Sequence, residues 1–167
     1  MSPGSPWLAA LRGQFGAALD MLENAMRACP AELWGDGPPA QAFWYVAYHA
    51  LFWLDLYLSD AVAGFAPPAP FTLDELDPAG LVPARVYTKE ELAAYLEHGR
   101  RKCAAVLDAL TDETARRRCG FERLDLDVAG LHLYNLRHVQ HHAAQLNLML
   151  SQRTGSAPRW VQRGRRA

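Results

Sequence analysis

The apolar residues of this chain recur every three or four positions over four long segments, and no other feature constrains the fold as much. No segment of useful length alternates with period two, so β-strands are at best minor. We therefore expect an all-α protein in which four helices form a bundle. The predicted helices cover residues 7–29, 40–63, 88–110 and 128–152.

A long, proline-rich loop connects the second and third predicted helices. Five prolines between Gly64 and Tyr87 exclude a continuous helix there, and the connection is long for a helix bundle. It is either a crossover that caps one end of the bundle and lines a pocket, or a linker between two helices that are not antiparallel neighbours. The sequence favours neither alternative.

The size of the chain fits a single domain. With 167 residues, half of them apolar, it can bury one core without disulfides. We predict one bundle domain over residues 1–153 and a basic tail over residues 154–167. The most apolar run, residues 42–63, contains His49, Asp55 and Asp60, which is typical of a buried helix and excludes a membrane span.

Charge and cysteine content bear on location and partners. The net charge of −1 gives no bias toward nucleic acid, and the five arginines of residues 153–166 are more typical of a disordered, solubilising tail. We therefore do not expect nucleic acid as a partner. The N-terminus has no secretory signal pattern, and three cysteines at wide spacings favour reduced thiols, so we expect a cytoplasmic protein.

Two histidines lie on one stripe of the last predicted helix. At about 100° per residue, His138 and His142 are about 40° apart, so both should point into the bundle. Their ring nitrogens could bind one ion at about 2.0–2.1 Å, the distance that zinc prefers. His49, on an apolar and aromatic stripe of the second helix, is the candidate for a third ligand.

Two motifs resemble the DinB-like superfamily of four-helix metal-binding proteins. They are Tyr48-His49-Ala50-Leu51-Phe52-Trp53 in the second helix and His138-Val139-Gln140-His141-His142-Ala143-Ala144-Gln145-Leu146 in the last. Helix order, the long second loop and the total length also match, so the resemblance spans essentially the whole chain. The chain departs at Ala144, where the family pattern often has glycine, and this small change should leave the ligands undisturbed.

The resemblance implies a function in outline only. It implies that His49, His138 and His142 bind a divalent metal, usually nickel or zinc, with water at the open positions. Members with known activity transfer or isomerise substrates with a low-molecular-weight thiol, namely mycothiol, bacillithiol or glutathione. Our leading hypothesis is thus a metal-dependent enzyme acting on a small molecule, as a thiol-dependent S-transferase or isomerase. The alternatives are a metal-dependent hydrolase and a non-catalytic metal-binding or dimeric interaction protein of a stress response.

No residue near the ligands stands out as a general base. Asn135 and Gln145 flank the histidine pair and could orient ligand rings, but ordinary positions near the helix rim are the favoured interpretation. Asp60 is expected to be an exposed charge at a helix end, and Tyr45 and Trp53 are expected in the core. The other histidines are expected outside the site, namely His141 at its rim and His98 and His132 at the surface.

The second predicted helix is apolar nearly all round, so both of its sides must be covered. A homodimer would cover the side opposite His49. The alternative is that the long loop or the first helix covers it within one chain.

Overall fold

The computed structural model describes residues 6–164, and these residues contain helices and no strand. A single antiparallel bridge joins Arg118 and Asp127. The helices are α1 (Pro6–Ala28), α2 (Ala31–Trp34), α3 (Phe43–Leu58), α4 (Lys89–Ala109), α5 (Asp112–Arg116) and α6 (Val128–Thr154). The all-α prediction is confirmed, and the short helices α2 and α5 are additions to it.

The four long helices form the predicted bundle. Both α1 and α3 pack on α4 and α6, so α1 and α3 lie diagonally opposite each other. Tyr87, just before α4, contacts Trp44 near the start of α3, with ring centroids 5.8 Å apart. Lys102, further along α4, donates to Ser59 Oγ after the end of α3 at 2.6 Å. The two helices therefore run in the same direction, and the loop of residues 59–88 returns along the length of α3.

Local chemistry explains where the helices begin and end. Thr88 caps α4 with a capping box, in which its side chain accepts from the Glu91 backbone and Glu91 accepts from Thr88 in return. Gly155 ends α6 in the left-handed conformation, with φ 77°. The second predicted helix is shorter than expected at both ends, because prolines precede α3 and Asp60 adopts a left-handed φ of 62° after it.

The long loop covers the apolar side of α3. Phe71 stacks on Tyr95 of α4 with ring centroids 4.3 Å apart, and on Tyr48 of α3 at 5.9 Å. Tyr87, at the end of the loop, packs on Tyr48 at 5.0 Å. Both Tyr48 and Tyr95 are almost completely buried as a result. The side of α3 opposite His49 is likewise buried within one chain, since Trp44, Leu51 and Leu54 are at most 2% exposed.

The described part of the tail packs against α1. The Gly164 backbone donates to the Gly13 carbonyl at 3.0 Å, and Gln14 Nε2 donates to the Gln162 carbonyl at 3.2 Å. A Cβ atom at Gly164 would lie 2.0 Å from the backbone of Gly16, so only glycine permits this approach. The expectation of a disordered tail is thus wrong up to residue 164, although Trp160 is 66% exposed. The boundary after residue 153 stays a prediction, and α6 ends one residue beyond it.

No helix among the described residues is both long and apolar enough to cross a membrane.

Candidate metal centre

Three imidazoles meet in the groove between α3 and α6. The Nε2 atom of His138 lies 3.4 Å from Nε2 of His49 and 3.0 Å from Nε2 of His142. The candidate ligand atoms of the three residues all lie within 4.8 Å of one another. The three side chains are half-buried, so the cluster lies at the edge of the core. Helical phase thus brings together the residues that the sequence analysis singled out.

The spacing of the Nε2 atoms fits a shared divalent ion. Metal–nitrogen bonds of about 2.0–2.1 Å separate two ligand nitrogens by about 2.9 Å at a right angle and by about 3.4 Å at a tetrahedral angle. The observed separations of 3.0 and 3.4 Å fall within this range. The donor set suits the ion as well, because imidazole is a common ligand of zinc and nickel.

Hydrogen bonds on the far side of two rings direct their Nε2 lone pairs toward the centre. His49 Nδ1 lies 2.7 Å from Glu75 Oε2, and His142 Nδ1 lies 2.6 Å from Gln145 Oε1. Both oxygens are acceptors, so each Nδ1 donates to its partner, and Nε2 is the atom of each ring that faces the centre. Nε2 of His138 lies within reach of both, at 3.4 and 3.0 Å, and can either donate to one of these atoms or present a third lone pair to a shared cation.

The histidines of α6 are held in the neutral state that metal binding requires. Burial, followed by the neighbouring imidazoles, lowers the pKa of His138 to about 3 and the pKa of His142 to about 4. Both rings are therefore uncharged at neutral pH. The Nδ1 atom of His138 is buried and has no hydrogen-bond partner within residues 6–164.

Glu75 reaches the cluster from the long loop, within a short 3₁₀ turn over Asp74–Leu76. Its Oε2 atom accepts from His49 Nδ1 and, at 2.8 Å, from Trp53 Nε1, and its side chain is only 3% exposed. Burial alone would raise the pKa of this carboxyl group, but hydrogen bonds, above all the one with His49, lower it. The ionised carboxylate thereby fixes the orientation of the His49 ring. Glu75 is not among the site residues predicted from the sequence.

Two polar residues of α6 differ from the favoured interpretation, Gln145 in its contact and Asn135 in its position. Gln145 is exposed, but it orients His142 through the hydrogen bond described above. Asn135 is completely buried, and its Nδ2 atom donates to the Leu54 carbonyl at 3.1 Å. Asn135 therefore ties α6 to α3 beside the cluster.

The remaining histidines lie outside the cluster. His141 is exposed beside it, with its ring centroid 5.1 Å from that of His142, which confirms the predicted rim position. His98 is partly exposed, as expected, and lies 3.4 Å from Asp55 Oδ1. The surface position predicted for His132 is wrong, because this residue is 2% exposed and lies on the buried stripe of α6.

Three other predicted positions need refinement. Asp60 is only half-exposed, because its carboxylate binds Arg117 and accepts from the Gly120 backbone at 3.1 Å. Tyr45 and Trp53 are half-buried core residues as expected, and both also bind Glu75. They belong to the surroundings of His49.

The chain matches a protein-family model over most of the bundle. The model of the DinB superfamily matches residues 7–146, a range that includes all three histidines of the cluster. The chain belongs to the DinB superfamily. No curated protein and no solved structure matches it. Membership in the DinB superfamily confirms the resemblance drawn from the two histidine motifs, and it leaves the activity open.

Proposed function

We propose that His49, His138 and His142 bind a divalent metal ion, nickel or zinc, and that the protein is a metal-dependent enzyme acting on a small molecule. The observation that carries the proposal is the convergence of three Nε2 atoms, with that of His138 3.4 Å from His49 and 3.0 Å from His142. Two of the rings are oriented by partners on their far side. A cleft of about 430 Å³ opens beside His49 and His142 and offers room for a small ligand.

The reaction class that we propose first is S-transfer or isomerisation with a low-molecular-weight thiol. A divalent metal at the three histidines would stabilise the thiolate form of a bound thiol, or ionise a bound water, near neutral pH. The thiol has to come from outside the chain. Burial raises the pKa of Cys29 to about 11 and the pKa of Cys103 to about 12, and Cys119 is buried as well.

Two alternatives use the same residues. In a metal-dependent hydrolase, water would replace the thiol, and Glu75 would still only position His49, because its Oε2 atom binds the far side of that ring. In a non-catalytic protein, the metal or a dimer face would serve binding in a stress response. The homodimer and the cytoplasmic location predicted from sequence remain proposals, and light scattering of the purified protein tests the first.

Elemental analysis tests the foundation of the proposal. Wild-type protein should bind about one equivalent of nickel or zinc after dialysis, and His138→Ala should lose most of it because only two ligands remain. His141→Ala is the matched control, since this exposed histidine lies on the same helix beside the cluster. Equal metal content in wild type and His138→Ala would overturn the proposal.

The reaction class is tested separately on metal-loaded protein. With a neutral thiol and an aryl chloride, S-transfer forms a thioether while chloride leaves and the thiol proton goes to solvent. With a nitrophenyl ester and no thiol, hydrolysis releases nitrophenolate. Turnover of the first kind that is lost in His138→Ala and kept in His141→Ala supports the transferase, and turnover of the second kind supports the hydrolase. Metal binding without either supports the non-catalytic alternative.

A further inference from the structure

The cleft beside the histidine cluster contains no charged side chain. It lies between α3, α6 and the turn that precedes α3, and His49 and His142 form its inner end. Three glutamines line it, namely Gln41, Gln145 and Gln152, together with the apolar residues Val46, Leu148 and Met149. A cleft of this composition offers amide groups and apolar surface to a ligand and offers no counter-ion.

The charged residues near the cleft bind other side chains of the protein. Glu75 lies under His49, buried and bound to Trp53. Arg153 and Asp36 form an exposed ion pair with each other and do not line the cleft. A second negative charge on a ligand would find no cationic side chain in the cleft, and the charge of a divalent ion at the histidines would already be offset by the thiolate and by Glu75.

The polar groups of the cleft are available to a ligand. The side chains of Gln41 and Gln152 make no hydrogen bond to any other residue in the described part of the chain. Gln145 uses its Oε1 atom to accept from His142, which leaves its amide hydrogens free to donate. Leu148, at the same wall, is 57% exposed, so a ligand with an apolar body would cover it.

We infer that the cleft selects a small molecule that is uncharged except at the atom directed toward the three histidines. Such a molecule has an apolar body and carries amide or hydroxyl groups that pair with the glutamines. Polyanionic thiols and phosphorylated compounds do not fit this lining. The inference rests on the proposed function, because it takes the histidine cluster as the end of the cleft at which the reacting atom lies.

Three thiols of similar size test the inference by charge alone. They are N-acetylcysteamine, which is neutral, 2-mercaptoethanesulfonate, which is anionic, and cysteamine, which is cationic. Each is titrated into cobalt-loaded or nickel-loaded protein, and the thiolate-to-metal absorption band gives its dissociation constant. We expect the neutral thiol to bind about tenfold more tightly than either charged one, because the cleft removes part of the hydration of a further charge and offers it no partner.

Substitutions at two exposed leucines of α6 provide the matched comparison. Leu148→Lys places a cation in the cleft and should improve binding of the anionic thiol relative to the neutral one by about tenfold. Leu133→Lys, at an exposed position outside the cleft, should leave the ratio unchanged. Both changes are at exposed positions, so both variants should fold.

The outcomes separate the inference from the proposed function. An anionic thiol that binds wild-type protein as tightly as the neutral one would overturn the inference and leave the metal site standing. Equal effects of Leu148→Lys and Leu133→Lys would also overturn it. If the protein takes up no metal, or if no thiol changes the spectrum, the proposed function fails and the inference fails with it.

Discussion

Two polar clusters lie against α3, and they differ in how their polar atoms are satisfied. At Asp55, the Lys102 ammonium group binds one carboxylate oxygen and Ser59, while Tyr95 donates to the other oxygen at 3.1 Å. At His49, six residues earlier, Glu75 binds Nδ1 at 2.7 Å, and Nε2 faces Nε2 of His138 at 3.4 Å. Nε2 of His142 lies 3.0 Å from the same His138 atom. The first cluster neutralises its charge within the chain, whereas the second gathers three nitrogens that could share a cation.

The difference shows which property of a buried polar group points to function. Asp55 is completely buried, yet its partners neutralise its charge and occupy its oxygens, so the cluster needs nothing from solution. His49 is more exposed, but its partners arrange its lone pair for a ligand that the chain does not supply. The direction of the unsatisfied atoms, and not the depth of burial, distinguishes the candidate site.

Removal of the Asp55 carboxylate should have the largest effect on stability. Asp55→Ala leaves the Lys102 ammonium group and the Tyr95 hydroxyl without their partner, and breaking a buried pair in this way costs about 3–5 kcal/mol. Urea unfolding of the metal-free protein measures the loss. Arg101→Ala is the control, because its exposed pair with Glu97 contributes less than about 1 kcal/mol. Similar losses in the two variants would contradict a structural role for the Asp55 cluster.

Metal should stabilise the second cluster and leave the first unaffected. Nickel or zinc at a free concentration 100 times the dissociation constant adds about 2.7 kcal/mol to the free energy of unfolding. We expect this increment in wild-type protein and in Asp55→Ala, and we expect its loss in His49→Ala. Paired urea titrations with and without metal measure it. An increment that survives in His49→Ala would show that the ion binds elsewhere.

Glu75→Gln should weaken metal binding without removing a ligand. The amide keeps the size of the side chain but loses the charge that holds the His49 ring, and loss of such a supporting group typically lowers metal affinity by about 10–100-fold. Competition with a chelator measures the affinity. Asp74→Asn is the matched control, since this neighbouring carboxylate accepts from Thr72 in an exposed pair and has no contact with His49 within residues 6–164. If both variants bind metal like the wild type, Glu75 has no role in positioning His49.

The helices and the histidine cluster were predictable because both depend on a fixed periodicity. An i, i+4 pair on α6 shares one face whatever else the chain does, and the apolar stripe around His49 had to face the core. The capping box at Thr88 is equally local, since its two members, Thr88 and Glu91, are three residues apart at the start of α4. These features need no knowledge of how distant segments meet.

Glu75 could not be predicted because no periodicity applies to a loop. Its position follows from the packing of Phe71 against Tyr48 and Tyr95, which are distant in sequence, and from the path of the loop along α3. The available signal was an acidic residue next to Leu76 in a proline-rich segment, and the neighbouring Asp74 and Asp77 carry the same signal. That signal is too common to identify a partner for His49.

His132 was misplaced for a different reason, and it offers the last and smallest test of the comparison. Its position on the α6 stripe with Asn135 and Val139 predicts burial, whereas the polarity of the side chain favours the surface. Both ring nitrogens are buried without a hydrogen-bond partner in residues 6–164. Unlike the three clustered imidazoles, this ring is not among the described residues that could share a metal ion, so its burial should only cost stability.

Replacement of His132 by leucine should therefore stabilise the protein, by about 1 kcal/mol at neutral pH, because an apolar side chain of similar size avoids the unpaired nitrogens.

Burial lowers the pKa of His132 below its ordinary value of 6.5, with the charge of Asp60 opposing the shift. Below pH 6.5 the unfolded chain therefore binds a proton at His132 that the folded chain does not bind. The resulting loss in the free energy of unfolding grows as the pH falls. Urea unfolding at pH 8 and pH 5 should show a larger gain for His132→Leu at pH 5, with no such trend in the exposed control His141→Leu. A loss of stability at both pH values would mean that the His132 ring has a polar partner within the chain, as the Asp55 carboxylate has.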